Sequence, residues 1–347
     1  MLTCRKSRPR TIRRWLTFVL VHLPLATGCT SDAEVRQFVD LTFDTAFVVG
    51  GTPADTTLLR PLRIRPWVDG VVVIEGAAET RVTAIDASGE VRWTYDRPGQ
   101  GPGELRIPRD AATTEGGDVF VMDRANAKVI HVSPEGEFVR EARLPPVNRL
   151  LNGFVKLAPD EFLVMDQTGA GVIFRPWDEG KVARLELDYP ASMPERASQM
   201  VAVAPGPEPG RWVAGMRFGP SWWFAHEVSS PLRHDLVHAP GYRAHAGMQS
   251  VGGGGVQAAR YEGDRWFYGA VSISWDGDEI WVLTGGGIAV GDRRNDVLDV
   301  YDVEGRYLRS HRFPAEGSFL FHVKTGSRLY LLQLDPVPAI VALDLEA

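Results

Sequence analysis

Residues 99–145 read GQGPGELRIPRDAATTEGGDVFVMDRANAKVIHVSPEGEFVREARLP. A Gly/Pro loop leads into a strand, and Gly116-Gly117 turns the chain back into a second. A polar loop precedes a third strand, and Pro134-Glu135-Gly136 turns it into a fourth. Four short strands joined by tight turns make one antiparallel sheet. The rest of the chain reads as variations on this unit.

One unit precedes it, with strands at Leu62–Val68, Val71–Glu75, Arg81–Asp86 and Val91–Tyr95 and a turn at Ala87-Ser88-Gly89. Val71–Glu75 is a nearly unbroken apolar run, the mark of a buried strand. A third unit starts near Asn152 and turns at Glu179-Gly180. A looser fourth runs from Met200 to His238, and an irregular insertion, Pro240–Arg265, carries the glycine run Gly252–Gly255. The fifth spans Ala270–Phe313. The sixth has only three strands: Ser318–Val323, Arg328–Leu334 and Ala339–Leu345. The turn glycines Gly89, Gly136 and Gly180 of the first three units recur at roughly 40–50 residues, the period of propeller blades.

The missing strand is available at the other end. Arg36–Val49 alternates as a strand and belongs to no unit. Pairing it beside Ala339–Leu345 removes two open sheet edges. The expected fold is therefore all-β: a six-bladed β-propeller over residues 36–347, closed by an N-terminal strand that pairs into the last blade.

The motif GxGPGEL…P, followed by DVFVMDRANAKVIHVSPEGEFVRE, is similar to the NHL-type repeats of bacterial six-bladed propeller proteins. Many members of that broad group are lipoproteins or secreted proteins without an assigned activity. The resemblance implies the fold and leaves the function to be argued from a site.

Residues 1–28 carry six basic residues and no acid, and enclose an apolar run, Trp15–Ala26, too short to span a bilayer. Leu25-Ala26-Thr27-Gly28-Cys29 resembles a bacterial lipobox, which implies a signal peptide over 1–28, lipidation of Cys29 and a short tether over 29–35. The other reading is an ordinary cleaved signal peptide. Cys4 and Cys29 are the two cysteines; with Cys4 removed, no disulfide remains to hold the fold. The expected address is the cell envelope, lipid-anchored and facing the periplasm or the outside.

The chain of 347 residues carries a net charge of −6. Because residues 1–28 are purely basic, the rest is more acidic still. Nothing there offsets phosphate repulsion, so nucleic acid is excluded as a partner. The membrane is reached through the lipid anchor alone, and a monomer is expected.

Candidate chemistry falls on the face where strand-two–strand-three turns and interblade loops gather. Asp123, Asp166 and Asp335 end the second strand of three units. They read either as a Ca²⁺-holding ring or as caps on local backbone N–H groups. Glu104, in Gly101-Pro102-Gly103-Glu104, reads as a ligand or catalytic carboxylate with Arg106 and Arg109 as anion partners, or as a turn residue paired with an arginine. Arg124 follows Asp123 in the same loop cluster. His226, His234, His238 and His245 cluster without the companions a zinc site needs. Trp222, Trp223 and Phe224 read as a sugar-stacking platform or as sheet core. No GxSxG or paired nucleophile and base stands out.

Two functions follow. The leading one is a membrane-anchored binding or scaffold module for a glycan, peptide or protein, with no cofactor. The alternative is a metal-dependent hydrolase or lyase of the lactonase or sugar-processing kind, with Ca²⁺ or Zn²⁺ at the channel mouth.

Overall fold

A computed structural model describes residues 36–76, 80–146, 151–166, 170–178, 182–187, 201–216, 221–225, 231–235, 248–251, 256–259, 270–284, 297–313 and 318–346. The signal peptide and tether expected over 1–35, with Cys29, and His226, His238, His245 and Gly252–Gly255 lie outside them.

The closing strand comes first in the chain, as β1 (Phe43–Gly50). Blade one follows as β2 (Pro61–Trp67), β3 (Gly70–Gly76), β4 (Thr80–Ile85) and β5 (Val91–Asp96). Blade two is β6 (Pro108–Thr113), β7 (Val119–Asp123), β8 (Lys128–Val132) and β9 (Phe138–Arg143). Blade three is β10 (Leu151–Ala158), β11 (Glu161–Asp166), β12 (Ala170–Phe174) and β13 (Val182–Glu186). Blade four is β14 (Val201–Pro205), β15 (Trp212–Met216), β16 (Ser221–Ala225) and β17 (Leu232–Asp235). A separate hairpin, β18 (Met248–Val251) and β19 (Val256–Ala259), precedes blade five. That blade is β20 (Ala270–Asp276), β21 (Glu279–Thr284), β22 (Val297–Asp302) and β23 (Tyr307–Arg312). Blade six is β24 (Ser318–Thr325), β25 (Arg328–Asp335) and β26 (Ala339–Leu345), with β1 as its outer strand.

Every blade is antiparallel, and first strands touch in the order β2, β6, β10, β14, β20, β24 and back to β2. The molecule is a six-bladed β-propeller. Blade faces pack on neighbouring blades, so middle strands are buried on both sides. In β3, Val71 and Val73 join the core shared with blade six, while Val72 and Ile74 join the core shared with blade two. Trp222 and Trp223 divide the same way between blades five and three, and both are fully buried. They are core, and the sugar-platform reading of this pair falls.

Ring closure matches the expectation, with Phe43 opposite Leu345 and Gly50 opposite Ala339. Its start differs. The strand begins at Phe43, not Arg36. The preceding stretch leaves blade six and lies parallel along the outer strand of blade five, with Phe38 beside Ser310. Two backbone bonds hold it there, Val39 N–H to Ser310 O and Ser310 N–H to Gln37 O. Arg36 pairs with the buried Asp299 at 2.8 Å. The insertion is not wholly irregular either, since β18 and β19 pair antiparallel within it.

Turn glycines do more than turn. Gly136 has φ of +85°, and a Cβ there would come within 2.7 Å of the Trp93 ring on blade one's outer strand. Gly89, with φ of +89°, meets Phe47 of β1 the same way. The recurrent third-to-fourth-strand turn is thus also an interblade seat for an aromatic.

Candidate functional site

A propeller's first strands each leave one backbone edge facing the central channel. Those N–H and C=O groups need partners. Here side chains from neighbouring blades supply them. Arg65 of β2 reaches the opposite blade, donating to Val203 O of β14 at 2.7 Å. The same guanidinium holds Asp110 of β6 with Nε and Nη2 at 2.8 and 2.6 Å. Asp110 in turn accepts the Phe154 N–H of β10 at 2.9 Å. Arg63 donates to Asn152 of β10, through both its carbonyl and its side-chain oxygen, and stacks 4.9 Å from the Phe321 ring of β24. Arg63, Arg65, Asp110 and Asn152 are all buried. Together they partition the channel.

The other wall is neutral. Ser272 Oγ accepts the His322 N–H at 3.1 Å, and His322 Nε2 lies 2.9 Å from Ser274 Oγ and 3.1 Å from Trp281 O. The carbonyl of Trp281 can only accept, so Nε2 carries the proton. Full burial pushes the His322 pKa down to about 3.

Above the partition, toward the loop face, lie Arg109 and Arg124. Pairing of β6 with β7 slips between Pro108 and Asp110, leaving Arg109 as the extra residue of a bulge. The equivalent slip in β10 singles out Asn152. Bulges re-aim side chains, and these two meet, with Arg109 Nη2 at 3.4 Å from Asn152 Oδ1. Burial lowers the pKa of Arg109, and the nearby Arg124 charge lowers it further, outweighing Asp110. Among the described residues neither Arg109 nor Arg124 has an ion-pair partner.

The sequence candidates divide. Glu104, Arg106, Asp123 and Arg124 do come together in blade two's loop cluster. Asp123 is fully buried, and its oxygens accept the N–H groups of Arg106, Ile107 and Ala125 at 2.7–3.0 Å and the Asn126 amide at 2.8 Å. Glu104 Oε2 accepts Gly101 N–H at 2.7 Å. Arg106 has an exposed side chain and uses its backbone N–H on Asp123. Asp166 accepts the Ala170 N–H at 3.1 Å, and Asp335 ends β25 with its side chain outside the described residues. Among the described residues no three His, Cys, Asp or Glu side chains converge as metal ligands. The sequence reading missed Arg63, Arg65, Asp110, Asn152 and His322. Their signal was polar residues inside first strands otherwise apolar.

No family model matches the chain. Similar solved structures include a member of the DUF4221 family from Bacteroides vulgatus, 9% identical, covering 88% of this chain and 99% of that one, with a TM-score of 0.59. Another is a catalytically inactive virginiamycin B lyase from Staphylococcus aureus with quinupristin, 11% identical, covering 88% and 100%, with a TM-score of 0.52. A third is a Bacteroides fragilis protein provisionally named as exported, 10% identical, covering 90% and 98%, with a TM-score of 0.52. At these identities the likeness is one of fold.

Proposed function

We propose that this chain is an exported, lipid-anchored binding module whose loop-face channel mouth takes a carboxylate-bearing ligand, an acidic glycan or peptide. One observation carries the reading. Arg109 and Arg124 lie near enough to repel each other, and no described acid pairs with either. Structural arginines in this channel are matched, as Arg65 is by Asp110. An incoming carboxylate would supply the missing charge, and a guanidinium fork suits its geometry. A cationic mouth on an otherwise acidic protein would also focus anions toward itself.

The lipobox-like segment ending at Cys29 supports the anchor, and the exported neighbour of the same fold is consistent with the address. The test is calorimetry of the full chain with oligogalacturonate against its methyl ester, and with a glutamate-rich peptide against its glutamine counterpart. Binding of an acidic member, weakened by added salt and absent for its neutral twin, is expected. Equal behaviour of acid and neutral forms overturns the reading.

A further inference from the structure

At the opposite end of the channel lies a cleft of about 490 Å³. First-to-second-strand turns of blades one to four line it. The Arg65 partition separates it from the arginine mouth, so it is independent of the site proposed above. Its walls are preformed: Pro66, Pro159 and Pro205 fix the backbone and offer no N–H to satisfy. The volume is that of a small-molecule site.

Two features mark it as more than a gap between turns. The first is Lys156, on the lining. Lys128 and Lys324 are each ion-paired at 2.8 Å, to Glu141 and Asp276. Lys156 alone among the described lysines has no ion pair. Burial lowers its pKa, with Asp160 and Asp118 opposing at longer range. The second is Val68, on the cleft's lip. It has φ of +49°, a left-handed backbone costly for a β-branched residue, and it is 59% exposed. The strain holds an apolar side chain out at the opening, where glycine would turn the chain more easily.

Rim charges narrow the ligand. Glu115 sits exposed on a turn, and Glu208 is ion-paired with Arg211 at 2.9 Å. These rim acids repel polyanions, while the inner charge is a single ammonium. We infer that this cleft is a second ligand site, for a small monocarboxylate with a flat apolar body. The carboxylate pairs with Lys156, and the body lies against Val68 and the prolines.

The experiment uses indole-3-acetate, its neutral amide and inorganic phosphate as probes, with ligand-observed NMR and calorimetry on the full chain. The acid is expected to bind about tenfold more tightly than the amide, the worth of one charge-assisted hydrogen bond. Lys156→Met should erase that preference, and Lys156→Arg should keep it. Val68→Gly should weaken acid and amide alike without lowering the melting temperature. Phosphate should not compete. Failure of the acid to bind, equal binding of acid and amide, an unchanged preference in Lys156→Met, or displacement by phosphate each overturns the inference. A melting temperature that falls in Val68→Gly would overturn the role given to that residue.

Discussion

Asp110 receives both arms of the Arg65 guanidinium, at 2.8 and 2.6 Å, while a third arm of the same arginine crosses the channel to blade four. Removing the acid leaves a buried cation with one neutral partner. Asp110→Asn should cost about 3–5 kcal/mol, read from the urea midpoint. Replacing both residues with apolar ones of similar size, Arg65→Met with Asp110→Leu, should recover only part of that loss, because the Phe154 N–H loses its acceptor and Arg63 its nearby carboxylate. A single variant of near-native stability would show that the pair does not hold the blades.

Gly136 seats Trp93 of the preceding blade. Gly136→Ala combines a disfavoured positive φ with a clash against a ring whose Nε1 donates to Pro134 O at 2.8 Å. A loss of about 2 kcal/mol is expected in chemical denaturation. Gly326→Ala is the control. Its φ is also positive, but a Cβ there meets nothing within 4 Å. It should cost about half as much.

Stability should fall with acid in a window set by His322. Its folded pKa is about 3, against 6.5 when unfolded. Between those values the unfolded chain binds a proton that the folded chain does not. Stability is therefore full above pH 6.5 and is lost progressively as pH falls toward 3. The loss between pH 6.5 and 5 is about 2 kcal/mol. His311 is shifted the same way by burial and adds to it. His322→Gln keeps a donor toward Trp281 O without a titratable ring, and denaturation curves at pH 5 and 7 should then draw together, leaving the smaller gap due to His311.

Arg124 separates binding from folding. Arg124→Gln removes repulsion on Arg109 and breaks no ion pair. Stability should stay within about 0.5 kcal/mol of the parent or rise. Binding of an acidic ligand at the loop face should weaken about tenfold, as expected for one lost charged hydrogen bond. A variant that loses stability and binds normally would reverse the assignment.

Lipidation has a direct readout. Cys29→Ser should abolish incorporation of labelled palmitate and move the protein from the membrane to the soluble fraction. Label retained in the variant would place the acyl group elsewhere.

The architecture was legible because its signals are local. Asp86-Ala87-Ser88-Gly89 announces its own turn, and the Asp86 carboxylate accepts from Ser88 and Glu90 two and four residues on. The incomplete last unit announced the closing strand. Its first residues were misassigned because Phe38 and Leu41 alternate as well as Phe43 does, and the parallel neighbour Ser310 is remote in sequence. The channel was illegible for a related reason. Arg63 and Arg65 alternate with Leu62 and Ile64 as any half-exposed strand would. Nothing nearby tells that Asp110, Asn152 and Val203 wait across the axis. The candidate acids were visible, but their use was not, since Asp123 spends its oxygens on its own loop.

The placement of β1 also sets a timetable. A chain made from its N-terminus delivers Phe43–Gly50 before any blade exists, yet its partner Ala339–Leu345 arrives about 300 residues later. The first segment to emerge is the last to be paired. Until then its apolar side chains Phe47 and Val49 lack the blade-six half of the core they join. Folding of β1 therefore waits on the completion of the ring, and that stretch stays open to other partners until the last blade has formed.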